Sequence, residues 1–404
     1  MSDTAQDTGT AGPAHVATVS FLASRAVPSG GFWVALAGGT ALARVAQRRG
    51  AREGYGASLA AMLETVAIMG PARFGVPLTQ ALSAPLMGRL EARGRGALPQ
   101  FLACAAIRVL SNAVGVAFFV FVIAGGLDAY AGSYENLAGL VGLEVSERGT
   151  VIVTLIGLLG WGAFASVVQV TVYRRGLRTW PAVAATAEAV PAEPEPAHSG
   201  RFDPRMIAVA AAVTFALLLA GTEWIVLAAV SAFLALAWSV SRPDRRAVPT
   251  GMALAAVLAF GALVFSLGAG LGVEVALRRA SRAALLVLAA TWLRAAAGAD
   301  GLREVSRRAL GRLRALPSAR EAAQVLDTIG SEGRLASAGR ALLGAIDGVP
   351  NRPAPFVDAV LGWVAREAAH YRAPERVPAL ALRLGLVDAA LLVAAVVPAA
   401  ALLA

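Results

Sequence analysis

Apolar runs of bilayer length recur along this 404-residue chain and set its fold class. The hydrocarbon core of a membrane, roughly 30 Å thick, needs about 20 mostly apolar residues per crossing helix. Residues 101–125, 151–173, 206–220, 224–240, 252–270, 271–293 and 380–404 meet or approach that demand. Residues 31–46 read as a further span. Residues 58–87, interrupted by Gly70, Pro71, Arg73, Pro77 and Pro85, read as two short helices or a re-entrant hairpin. Irregular backbone at membrane depth must be covered by protein or water. The expectation is therefore an all-α polytopic membrane protein of about nine or ten membrane helices. Trp224, Trp238 and Trp292 fall near span ends, where interfacial aromatics belong.

Composition agrees. Hydrophobic residues make up 57% of the chain and charged residues 15%, against about 45–50% and about 25% in soluble globular proteins. Neither a soluble enzyme nor a disordered chain fits those proportions. The formal net charge is +10, and all 36 basic residues are arginine. They cluster between the apolar runs: Arg44, Arg48, Arg49 and Arg52; Arg89, Arg93 and Arg95; Arg174, Arg175 and Arg178; Arg242, Arg245 and Arg246. Residues 126–150 instead hold Asp128, Glu135, Glu144 and Glu147 with one arginine, Arg148. Lys/Arg-rich loops stay in the cytoplasm, so the basic loops are expected inside the cytoplasmic (inner) membrane and the acidic one outside. Nucleic acid is not an expected partner. Arg278, Arg279 and Arg282 follow a turn placed outside and do not fit this pattern. The first 20 residues carry Asp3 and Asp7 but no arginine, unlike a secretory signal.

Residues 181–200, rich in Pro, Ala and Glu, read as a semi-extended linker between a membrane domain at 1–180 and another at 201–404. Residues 294–376 carry 13 arginines and 9 acids and have helical period. One apolar set is Leu302, Val305, Ala309, Leu313 and Leu316, with Asp300 as a cap and Pro317 closing the segment. Three more are Ala322, Val325, Leu326 and Ile329; Leu335, Leu342, Leu343 and Ile346; and Phe356, Val360, Leu361 and Val364. These are expected to be cytoplasmic amphipathic helices, which need an apolar surface to lie on.

Catalytic chemistry is nearly absent from the sequence. His15, His198 and His370 fall in a tail, the linker and an amphipathic helix, without metal-ligand spacing. A phosphate-binding loop ending in Gly-Lys-Ser/Thr is impossible without lysine, and no Gly-x-Ser-x-Gly occurs. The lone Cys104 excludes an intrachain disulfide. No enzyme activity, cofactor or metal is expected. Glu64, Arg108, Glu274 and Asp388 lie in or beside apolar runs, where an ionised group costs roughly 2.5–3.5 kcal/mol. Each reads as part of a substrate or proton path, or else as a snorkelling group or an interhelical ion pair. Snorkelling suits Arg108 and Asp388 better. Glu64, close to the Gly70-Pro71 break, is the best candidate for a buried polar site. The small-residue patches 37–41 and 268–272 are candidate helix–helix contacts.

From Arg201 onward the order of motifs is distinctive. Arg201-Phe202-Asp203-Pro204-Arg205 precedes a span, and Leu277-Arg278-Arg279 begins a later one. Ala299-Asp300-Gly301-Leu302 follows a span, and Arg383-Leu384-Gly385-Leu386-Val387-Asp388 begins the last. In this order the second half resembles the transmembrane T component of energy-coupling-factor (ECF) importers. The resemblance implies cytoplasmic helices that dock on a pair of separately encoded ATP-binding-cassette ATPase subunits. Their closure would be passed to a substrate-binding membrane subunit. Arg307, Arg308, Arg312, Arg314, Arg334 and Arg340 are the partner-coupling candidates it implies. That family's docking tips carry Ala-Arg-Gly. Here residues 294–376 have only Ala309-Leu310-Gly311-Arg312 and Ala338-Gly339-Arg340, while Ala92-Arg93-Gly94 lies in the other half. The first half is read as a substrate-binding-like or an accessory membrane domain. The competing reading is a membrane scaffold or assembly protein that recruits a non-ATPase partner or anionic lipid through the same helices.

Overall fold

A computed structural model of the protein describes residues 8–27, 30–73, 77–139, 142–180, 201–241, 248–313, 315–350, 352–374 and 384–402. The expected linker at 181–200, Arg314 and the cluster Arg242, Arg245 and Arg246 lie outside the described residues. No strand occurs among the described residues. Two helical hairpins come first: α1 (Thr8–Ala23) with α2 (Gly31–Arg49), then α3 (Ala51–Met69) with α4 (Pro77–Ala92). A 3-10 turn, Pro71–Arg73, follows α3, so the interrupted region 58–87 takes the two-helix form.

The apolar runs follow as α5 (Ala97–Phe118), continued by a π-helical turn at Phe119–Ala124, then the short α6 (Leu127–Gly139) and α7 (Glu147–Thr179). Next come α8 (Pro204–Ala220), α9 (Trp224–Val240), α10 (Val248–Gly268) and α11 (Val273–Arg312). The amphipathic segment forms α12 (Pro317–Leu326), α13 (Glu332–Ile346) and α14 (Pro353–His370), and α15 (Leu386–Val396) with a 3-10 turn at Val397–Leu402 closes the described chain. Among the described residues, four helices are long and apolar enough to cross a membrane: α5 with its π turn, α7, α10 and α11. Three shorter apolar helices, α8, α9 and α15 with the turn after it, accompany them. The protein is thus an all-α, membrane-embedded chain.

The remaining expected crossings fall in α2 and in α3–α4, and these helices are covered by other parts of the protein. Large exposed apolar side chains crowd α5, α7, α9, α10 and α15, whereas α4 shows Leu82 and α1–α3 show none among the described residues. Residues 34–43 are all buried. Hydropathy cannot tell burial in lipid from burial in protein, and α2 is buried by α1, α3, α4, α7 and α14. Small residues make this possible. A methyl group on Gly39 would sit 1.8 Å from the Tyr173 hydroxyl, and one on Gly88 would sit 1.9 Å from the Ala43 carbonyl. The patch 37–41 is therefore a helix–helix contact. Gly268, Gly270 and Gly272 meet nothing within 4 Å; with positive φ at Gly270 and Gly272 they form the turn between α10 and α11.

Two large cores result. One unites α1–α4 and the last turns of α7 with α12–α14, so residues from both sides of 181–200 share it. The surface that the amphipathic helices need is supplied by the N-terminal hairpins: Ala322, Val325, Leu326, Leu335, Leu342, Val360 and Val364 are buried there. The other core joins α8, α9, α11 and α15 around Trp292. That indole packs edge-on against Phe233, with ring centres 5.9 Å apart, and is fully buried rather than interfacial.

Candidate functional site

The two cores meet where α11 changes direction. Gly298 has φ 70° and ψ 168° inside an otherwise helical run of 40 residues, a conformation essentially confined to glycine. The kink divides α11 into an apolar part and the charged stretch that leads to α12. It also replaces the helix start expected at Asp300. Pro317 does not close that helix but opens α12 as its first residue, a position that suits its missing N–H.

Helix α3 grips α11 on both sides of the kink. Before it, the buried Arg294 donates from Nε to the Ile68 carbonyl at 2.7 Å and reaches Glu332 of α13 at 3.4 Å. After it, Arg303 donates from Nε to Glu64 Oε2 at 2.7 Å and from Nη2 to Glu64 Oε1. The Glu64 side chain is 0% exposed and that of Arg303 17%. Burying a carboxylate this completely requires an opposite charge with hydrogen bonds to both oxygens, which the guanidinium fork provides. Gly70, at the end of α3, has φ 83°. A methyl group there would come within 2.9 Å of Arg294 Cβ, so glycine also sets the closeness of the two helices.

The other candidates are dispersed. Arg307 and Arg308 fold back on Glu304, and Arg307 also faces Asp327 at 3.9 Å. Arg312 and Arg340 are exposed, and Arg334 is partly buried against α1. Arg108 does not snorkel. It is 3% exposed and donates to Gln169 of α7 at 2.7 Å, while Gln169 donates to Ser83 of α4 at 2.5 Å. Nor does Asp388 snorkel. Its buried carboxylate accepts from the backbone N–H of Asp203 at 2.7 Å and of Gly385 at 2.8 Å, tying the start of α15 to the start of α8. Glu274 is an exposed partner of Arg278 in the first turns of α11. Arg278 also meets Glu223, and Arg279 donates to the Ala124 carbonyl, which accounts for part of the discordant arginine cluster.

The motifs 203–205, 299–302 and 385–388 converge. A methyl group on Gly301 would lie 2.8 Å from the Pro204 ring, beside the Asp203–Asp388 contact. Arg294 and Arg303 were not among the candidates read from the sequence, although they make the α3–α11 contact. The available signal was an arginine at the end of an apolar run and another one turn after Gly298. Comparison with known protein families, curated proteins and solved structures finds no match.

Proposed function

We propose that the protein is the transmembrane coupling subunit of an ECF-type, ATP-binding-cassette importer in the cytoplasmic membrane. In this reading the end bearing α12–α14 is cytoplasmic, because Arg52 pairs with Glu321 of α12, Arg175 with Asp358 of α14 and Arg174 with Glu91, which brings basic loops to that end, and basic loops are retained inside. Separately encoded ATPase subunits bind that end. Their closure moves the apolar part of α11, and through it the substrate-handling part of the membrane assembly, including any substrate-binding membrane subunit. Residues 1–180 are then an accessory domain whose hairpins back the coupling helices.

One observation carries this reading. A single helix, α11, runs from a crossing segment through a glycine kink to a corner where Leu313 is 49% and Leu316 56% exposed, beside exposed Arg312 and Arg320. Bare leucines flanked by arginines suit a protein contact. Purification of the full chain from its native membranes in mild detergent tests the reading. An ATPase pair should be recovered with it, and the double variant Arg312→Glu with Arg320→Glu should lose that pair. The scaffold reading has one observation in its favour: the apolar faces of α12–α14 are already covered by α1–α4. Recovery of a non-ATPase partner at the same corner, with no ATPase, would select it.

A further inference from the structure

Between α1, α13 and α14 lies an open pocket of about 380 Å³, lined by His15, Arg334, Ser337, His370, Tyr371 and Arg372, with Glu367 as the acid among its described lining residues. His15 is buried, and its ring stacks on Tyr371 at 4.2 Å with 18° between the planes. The Tyr371 hydroxyl donates to the Thr328 carbonyl at 2.7 Å, which fixes that wall. Two polar atoms of lining residues are buried without a hydrogen-bond partner: His15 Nδ1 and Arg334 Nη1. A buried polar group left unpaired costs about 1–3 kcal/mol; the Arg334 nitrogen lacks an acceptor, and His15 Nδ1 lacks an acceptor or a donor according to its tautomer.

We propose that this pocket binds a phosphate group. Burial, with Arg334 beside it, pulls the His15 pKa down to about 3, so His15 is neutral at physiological pH. Among the described lining residues the charge is then that of Arg334 and Arg372 against Glu367, a surplus of one positive charge. His15 of α1, Arg334 of α13, His370 of α14 and Arg372 just beyond it line one pocket, and two guanidinium groups there suit a tetrahedral anion. The volume is near the lower end of ligand pockets, about 300–1,000 Å³, and leaves room for an organic group attached to the phosphate. The site does not depend on the coupling role proposed above. Its ligand comes either from solution, as a phosphomonoester, or from the bilayer, as a phospholipid headgroup.

The test uses the full-length protein in two settings. Delipidated protein in detergent is titrated with inorganic phosphate, against chloride at matched ionic strength, by ³¹P line width and thermal unfolding. The same protein is placed in vesicles of phosphatidylcholine alone and with one-fifth phosphatidylglycerol. Saturable phosphate binding in detergent supports the site with a soluble ligand. Stabilisation by phosphatidylglycerol alone supports it with a headgroup. In either case Arg334→Gln should weaken the response at least tenfold, and its unfolding without ligand shows that it is folded. If Arg334→Gln does not fold, the exposed Arg372→Gln carries the comparison and should weaken the response at least threefold. No response in either setting, or an equal response in the variant, overturns the proposal.

Discussion

Replacing Glu64 with Gln keeps the side-chain shape and removes one buried charge of the pair that holds α3 to α11. Removing one partner of a buried ion pair costs about 3–5 kcal/mol. Here the lower end applies, because Arg303 is 17% exposed and keeps Asp300 at 3.4 Å. At roughly 2 °C per kcal/mol for a chain of this size, Tm should fall by about 6 °C. Cys104 is the only cysteine in the chain and is buried, so a thiol-reactive dye that fluoresces on conjugation reports unfolding directly. Arg303→Gln should cost at least as much, since it strands a fully buried carboxylate. The double variant should recover about 2 kcal/mol, or about 4 °C, relative to the sum of the singles. A Glu64→Gln protein that unfolds within 1 °C of the parent, or strictly additive shifts, would refute the clamp.

Gly298→Ala forces a residue with a Cβ into φ 70° and should destabilise by about 1–3 kcal/mol in the same assay. For His15 the folded pKa, about 3, lies below the unfolded value of 6.5, so the unfolded chain binds the proton more readily. Stability from this residue should therefore be present above pH 6.5 and fall by roughly 1.4 kcal/mol per unit as pH drops toward 3; the groups around the ring are Arg334, Glu367, His370, Tyr371 and Arg372. His15→Phe, which keeps the stacking, should flatten the acid limb of the Tm–pH curve, and an unchanged limb would contradict the assignment. Asp388→Ala removes two backbone contacts and should cost about 2 kcal/mol, whereas Glu274→Gln, on an exposed carboxylate, should leave unfolding unchanged.

Much of this architecture could be read from residues alone. The runs at 101–125, 151–173 and 206–293 became α5 and α7–α11 because long apolar stretches have few other stable forms. The period in 322–364 was also sufficient: Val325, Leu335, Leu342, Val360 and Val364 are buried as that spacing requires. It failed for Leu313 and Leu316, because α11 ends at Arg312 and the last two positions leave the helical face. For residues 31–46 the sequence did not show that other helices cover the segment, because Ala and Gly look alike whether lipid or another helix lies against them. The Glu64–Arg303 pair spans 239 positions, and no local pattern encodes a contact at that separation. Asp388 was visible as an oddity in an apolar run, but its role depends on a backbone N–H supplied by Asp203.

In the coupling role we propose, motion at the α11–α12 corner reaches α6. Spin labels at Leu316→Cys and at the exposed Glu135→Cys of α6, in a Cys104→Ser background, would measure that path in a complex with the proposed ATPase pair. The distance distribution should shift by several ångströms between nucleotide-free and ATP-analogue-bound states, and the shift should shrink in Glu64→Gln. Superimposable distributions in both nucleotide states would contradict a coupling role.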